Sequence, residues 1–191
     1  MGRPARYDAD SLLDGAVSLA ADGGPAAVTM TAVASAVGAP SGSVYHRFPT
    51  RAALLSALWL RTLERFHTGL LDAVSTGDPV TVAQHTIIWS REHPAEARVL
   101  LYGASDFAQS AWPSEMQQRL TDAQQRVAAA FDRLGRRIGV RGRAGRERIV
   151  FALADIPLAL VRRHLKAGEP IPVGAEDLIA TTTRALLAAE A

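Results

Sequence analysis

GAPSGSVYHRFPTR, residues 38–51, decides the reading of this chain. It holds no acid, it carries glycines at 38 and 42, and it ends an otherwise helical stretch at Pro49. Just upstream, Ala34, Gly38 and Val44 have the spacing of a helix-turn-helix. A small residue lets two helices approach, a glycine permits the backbone reversal, and a later apolar residue anchors the second helix. Val33, Val37, Val44 and Phe48 form the expected inward face. Ser41, Gly42, Ser43, Tyr45, His46 and Arg47 are left facing outward. They are too polar for a core, but they suit a groove in nucleic acid. Free N–H groups at a helix start favour phosphate. Ser, Tyr and Arg donate to phosphate oxygens, and His46 or Arg47 can reach a base edge. No Asp or Glu occurs from Gly23 to Leu63, so the local field is more basic than the whole-chain charge of +2.

The flanking sequence extends this pattern. Asp8 is placed to cap a first helix carrying Leu12, Leu13, Ala16, Val17 and Ala20 on one face, which Gly23 and Gly24 stop. A second helix is expected at about 31–37 and a third at 41–47. Thr50 caps a long fourth helix bearing Leu55, Leu58, Trp59, Thr62 and Phe66, closed off by Gly77 and Pro79. Further helices are expected to about His93, from Pro94, from Met116 to Ile138, over 146–166 with an interruption at Pro157, and over 175–190. GASDFAQSAWPS (103–114) reads as a broken turn. Period-2 alternation is not sustained anywhere, so the prediction is an all-α protein of about nine helices.

Composition narrows the function. The 191 residues are 48% hydrophobic, which suffices for a core. There is no cysteine, so no disulfide framework or thiolate metal site is available. The first ten residues are basic but lack an apolar run behind them, and no segment approaches a membrane span. The expectation is a soluble cytoplasmic protein with no membrane partner. No Ser-His-Asp arrangement, HExxH motif or Gly-rich phosphate loop is present, and His46, His67, His85, His93 and His164 lack metal-ligand spacing. An enzyme, a cofactor and a metal site are therefore not expected.

Residues 27–59, with a Thr-rich entry to the second helix, Ala-Val-Gly before the turn and Ser-Gly-Ser-Val-Tyr-His-Arg-Phe in the third, resemble the N-terminal DNA-binding domain of the TetR family of transcriptional regulators. The resemblance covers roughly residues 7–60. It implies a three-helix head over 1–50 and a helical effector-binding and dimerisation domain over 51–191. It also implies a homodimer, usually a repressor, whose affinity for a palindromic operator is set by a small molecule. Carried over onto this sequence, phosphate contacts fall on Thr29, Ser41, Ser43, Tyr45 and Arg51, and base-reading positions on Thr31, Gly42 and His46. Thr31 stands where family members often have Arg. Arg3 and Arg6 are either a minor-groove arm or a plain tail.

For the ligand, the aromatic set Phe66, Trp89, Tyr102, Phe107, Trp112 and Phe151, with Met116, is expected across the fourth to eighth helices. His85 shares a face with Trp89 and is either a ligand contact or core. Asp155, inside the apolar run RIVFALADIPLALVRRHL, is expected to be buried. It is then either a polar anchor for a ligand or a structural partner of Arg148 or Arg162. Leu158, Leu160, Val161, Leu178, Ile179, Leu186 and Leu187 offer a dimer surface within residues 146–190. The competing reading is a helical small-molecule-binding or protein-interaction module that does not bind DNA.

Overall fold

A computed structural model describes residues 8–188, and among them every regular element is helical. The expected basic arm at Arg3 and Arg6 lies outside the described residues. Asp8 caps α1 (Ala9–Ala27) by accepting from the Ser11 N–H at 2.8 Å. The helix breaks inside its assigned span, because Gly24 has φ +69° and Pro25 follows. The stop expected at Gly23 and Gly24 is thus a kink, and the last short turn runs on to Ala27. Then come α2 (Met30–Ala36), α3 (Ser41–Arg47) and α4 (Arg51–Thr76). Thr50 caps α4 through the Ala53 N–H at 3.1 Å.

Asp78 caps α5 (Pro79–Glu92), so Pro79 opens this helix and does not close the previous one. Its fixed φ and missing N–H suit a first turn. After α6 (Pro94–Leu100), two short 3₁₀ turns, Ala104–Phe107 and Gln109–Ala111, form the expected broken turn. The long amphipathic helix is α7 (Ser114–Arg137). Helix α8 runs Gly142–Val150, passes through a π turn at Phe151–Asp155, and resumes as Ile156–Ala167. Helix α9 is Ala175–Ala188. Counting α8 once gives nine helices among the described residues.

The π turn explains two features of the sequence. Pro157 has no N–H, so an unbroken α-helix would leave the Leu153 carbonyl without its partner. The chain widens just ahead of it, and the Ile156 N–H donates to the Phe151 carbonyl. Such one-turn π insertions are a recognised way to absorb a break in the ladder. Asp155, at the end of that turn, is exposed, which corrects the expectation of a buried carboxylate. Its side chain makes no ion pair with Arg148, Arg162 or any other described residue.

The chain divides into two compact units. The first comprises residues up to Leu63 together with Ala95–Leu120; the second comprises Glu64–Pro94 and the residues from Thr121 onward. The division cuts across the boundary at residue 50 expected from the sequence. In the first unit, Leu12, Ala16, Val28, Val33, Val44, Leu54, Leu58, Phe107 and Trp112 make one continuous core. The second has its own core, including Leu70, Val82, Ile87, Phe131, Leu134, Leu153, Val161 and Ile179. No described helix is long and apolar enough to cross a membrane.

Candidate nucleic-acid interface

The reading head is built from α1 to α3 and the start of α4. Thr29 caps α2, its hydroxyl oxygen accepting from the Ala32 N–H at 3.1 Å. The helix ends with Gly38 at φ +66°, where only glycine is comfortable. The Gly38 N–H reaches the Ser35 carbonyl at 3.2 Å, and the Ala39 N–H reaches that of Ala34 at 2.8 Å. This pair of bonds closes the turn and aims α3 away from α2. Gly15 of α1 faces Val37, whose Cγ1 would lie 2.6 Å from an added Cβ. The small residue lets α1 and α2 pack closely. Val44 at 0% exposure and Phe48 at 7% hold α3 to the core.

The opposite face of α3 is open. Ser41, Gly42, Tyr45, His46 and Arg47 are exposed, and Ser43 is half-buried. Thr31 is exposed beside them in sequence, and its hydroxyl lies 3.2 Å from that of Thr29. Gly42 is informative because a Cβ there would meet nothing within 4 Å. Nothing inside the chain requires glycine, although glycine within a helix costs about 0.5–1 kcal/mol relative to alanine. The missing side chain leaves the backbone at the start of α3 open to close approach from outside.

Arg51 is placed differently from the expectation. Its Nε donates to the Val28 carbonyl at 2.8 Å and its Nη2 to the Pro25 carbonyl at 2.7 Å. Two of its three nitrogens are committed to holding the link between α1 and α2 against the start of α4, leaving at most Nη1 for a phosphate. Two further basic residues in the unit also serve the fold or its charge balance. Arg61 bridges Asp14 at 2.7 Å and Asp10 at 3.2 Å, tying α4 to α1 and neutralising two acids of the head. Asp8 is held below the usual carboxylate range, first by the Ser11 N–H and hydroxyl and more weakly by the charge of Arg47. The partnerships of Arg51 and Arg61 span 23 to 51 residues, and no local spacing announces them.

The nine residues expected around a ligand fall into separate environments. Phe107 and Trp112 are sealed in the first unit's core, where the indole N–H of Trp112 donates to the Phe107 carbonyl at 2.7 Å. Met116 packs against the same core. Tyr102 lies against Gly24, where a Cβ would come within 2.9 Å of its hydroxyl, and its carbonyl accepts from the indole of Trp59 at 3.2 Å. In the second unit, Phe66, His85 and Trp89 form an aromatic ladder with centroids 5.1 Å and 5.2 Å apart. His85 Nε2 is 3.0 Å from the Phe66 carbonyl, and the Cε1 edge of its ring packs against Gly69. Burial, outweighing that hydrogen bond, keeps His85 below the ordinary histidine range. Phe151, 49% exposed, and Asp155 line an open groove with Arg146, Arg148 and Val150.

A different groove of about 530 Å³ was not visible in the sequence. It is lined by Leu71, Val74 and Ser75 from α4, and by Arg126, Ala129, Ala130, Arg133, Leu134 and Arg137 from α7. The available signal was the recurrence of Arg126, Arg133 and Arg137 on one face of α7.

Residues 12–58, which contain α2, α3 and the glycine turn between them, match the family model for bacterial regulatory proteins of the tetR family. The N-terminal domain belongs to the TetR family. Beyond this TetR-family domain the similarity is one of fold. FadR from Bacillus subtilis, solved in complex with stearoyl-CoA, superposes with a TM-score of 0.72 at 14% identity, covering 96% of this chain and 100% of that one. The fatty acid degradation regulator FadR from Bacillus halodurans gives a TM-score of 0.71 at 15% identity, again covering 96% and 100%. A TetR family transcription regulator from Marinobacter aquaeolei gives 0.70 at 20% identity, with 93% of each chain covered. No curated protein matches the sequence at a significant level.

Proposed function

We propose that this protein is a ligand-responsive DNA-binding transcriptional regulator of the cytoplasm. It acts as a repressor that grips a palindromic operator as a homodimer and releases it when a small, largely apolar molecule binds the second unit. The observation that carries the reading is the open, acid-free face of α3 within a TetR-family domain, with Gly42 unobstructed at its centre. On this reading Ser41, Ser43 and Tyr45 donate to phosphates, and Thr29 does so with whatever its capping hydroxyl can spare. His46 and Thr31 read base edges, and Arg47 serves either role.

Dimerisation is supported by apolar side chains that α8 and α9 leave uncovered. Phe151 is 49%, Leu158 39% and Leu178 58% exposed. Two heads are needed because half-sites lie about one helical turn, roughly 34 Å, apart. Ligand responsiveness is supported by fold likeness to a FadR solved with stearoyl-CoA. It is also supported by continuity: α4 begins at Arg51 in the head and runs on past Phe66 in the aromatic ladder. Coupling of about 1–3 kcal/mol between the two binding events would suffice.

Selection of bound fragments from a random duplex pool tests the reading. An enriched inverted repeat, bound more weakly as salt rises, is expected. A pool with no enrichment and no salt-dependent retention would favour the module that does not bind DNA.

A further inference from the structure

The groove between α4 and α7 has the chemistry of a site for a particular class of molecule. Its floor is apolar, formed by Leu71, Val74, Ala130 and Leu134, and its rim carries Arg126, Arg133 and Arg137. The volume of about 530 Å³ falls within the range that holds small ligands, about 300–1,000 Å³.

The arginines follow helical spacing, with Arg133 two turns beyond Arg126 and Arg137 one turn beyond Arg133. Three like charges on one face repel, and the pair four residues apart destabilises the helix on its own account. Surface arginines usually escape this through interleaved acids, but no Asp or Glu lines the groove. No ion pair or hydrogen bond joins the guanidinium of any of the three to a described residue. Arg137 has a structural reason for its place. Its guanidinium lies over Gly77, just past the end of α4, where the helix dipole favours a cation. Arg126 and Arg133 have no such reason.

A titratable neighbour is uncharged. His67, one turn before Leu71 on α4, is pushed down to about 4 by burial and then by the charge of Arg126. It is neutral at physiological pH and adds no charge of its own beside the arginines. Its Nδ1 is buried without a partner.

We infer that this groove binds a soluble amphipathic anion, with its acidic head between Arg126, Arg133 and Arg137 and its apolar chain along Leu71, Val74 and Leu134. The inference rests on the reading of the second unit as the effector-binding part. It sharpens that reading: the effector is an apolar molecule with an acidic end.

Calorimetry on the full chain, without DNA, tests it using decanoate, decanol and decyltrimethylammonium below their aggregation limits. Decanoate should bind at least tenfold more tightly than decanol. Arg133→Gln and Arg126→Gln should each weaken decanoate about tenfold and leave decanol unchanged. Arg133→Glu should acquire affinity for decyltrimethylammonium, a gain that a misfolded chain cannot show. Equal affinities for decanoate and decanol, or decanoate affinity unchanged in both glutamine variants, would overturn the inference. Groove-dependent sedimentation with phosphatidylglycerol vesicles would overturn it in favour of a lipid surface. If decanoate binds through the arginines while operator affinity stays the same, the groove assignment stands and the release mechanism falls.

Discussion

Arg51 Nε donates to the carbonyl of Val28 at 2.8 Å, across 23 residues of sequence. With the second bond to Pro25, one guanidinium satisfies two carbonyls at the link between the first two helices. Arg51→Ala removes both donors. Since the residue is exposed, water takes over part of the role, and a loss of about 1–2 kcal/mol is expected. Urea unfolding should show the drop, and operator affinity should fall alike for all sequences. An unchanged midpoint combined with a flatter salt slope would instead make Arg51 chiefly a phosphate ligand.

Gly42→Ala should separate stability from binding. The new methyl meets nothing in the chain, so the variant should be more stable by about 0.5–1 kcal/mol. The same methyl would stand between α3 and DNA and weaken operator binding severalfold. A variant that is stabilised and binds as well as the native protein would show that Gly42 is not at the interface.

The exposed end of α3 predicts two kinds of effect. Tyr45→Phe should weaken binding by a similar factor on every sequence. Arg47→Ala, if the arginine lies on a phosphate, should reduce the slope of log affinity against log salt by about one unit. His46→Ala should change base preference at one position of each half-site, read by repeating the selection. Identical selected sequences from the native and His46→Ala proteins would remove His46 from the base-reading set.

Leu158→Glu and Leu178→Glu place charges on apolar surface that the single chain leaves uncovered. Neither disturbs the buried side chains of Val161 or Ile179. Each variant should stay folded, sediment as a monomer, and lose tight operator binding. A native protein that is already monomeric at working concentration would end the dimer proposal.

His67 gives a pH dependence of definite sign. Its folded value is about 4 against 6.5 for the free side chain, so the unfolded chain takes up the proton first. Stability from this group is complete above about pH 6.5 and declines as pH falls toward 4. His85 is shifted in the same direction. Because His67 keeps some solvent access, the loss between pH 7.5 and 5 should be about 1–2 kcal/mol rather than the full linkage value. His67→Gln should flatten the difference in urea midpoint between those two conditions.

Much of this architecture was readable where the signal is local. The limits of α3, the caps Asp8 and Thr50, and the glycine turn at 38 depend on neighbours a few residues away. Legibility ended where the partner was distant. The sequence of Arg51 or Arg61 does not distinguish a hand held out to phosphate from one closed on Val28 or Asp14. Asp155 was misread because burial was inferred from an apolar run in register with a regular helix, and the π turn before Pro157 breaks that register. Phe107 and Trp112 are aromatic, as pocket walls are, but their accessibility depends on what folds over them.

The return of residues 95–120 to the first unit bears on how such a protein can be re-engineered or can diversify. A swap of reading heads cut near residue 50 would carry the α3 face intact but leave behind Trp112, Phe107 and the Tyr102 that lies on Gly24. Grafted onto a foreign body, that head would arrive with its back uncovered, because Leu54 and Leu58 would stay behind as well. The transferable cassette is discontinuous: the first 63 residues together with a 26-residue patch borrowed from the middle of the chain, Ala95–Leu120. Operator preference in this chain should therefore be easier to change by substituting the outward residues of α3 one at a time than by exchanging the head whole.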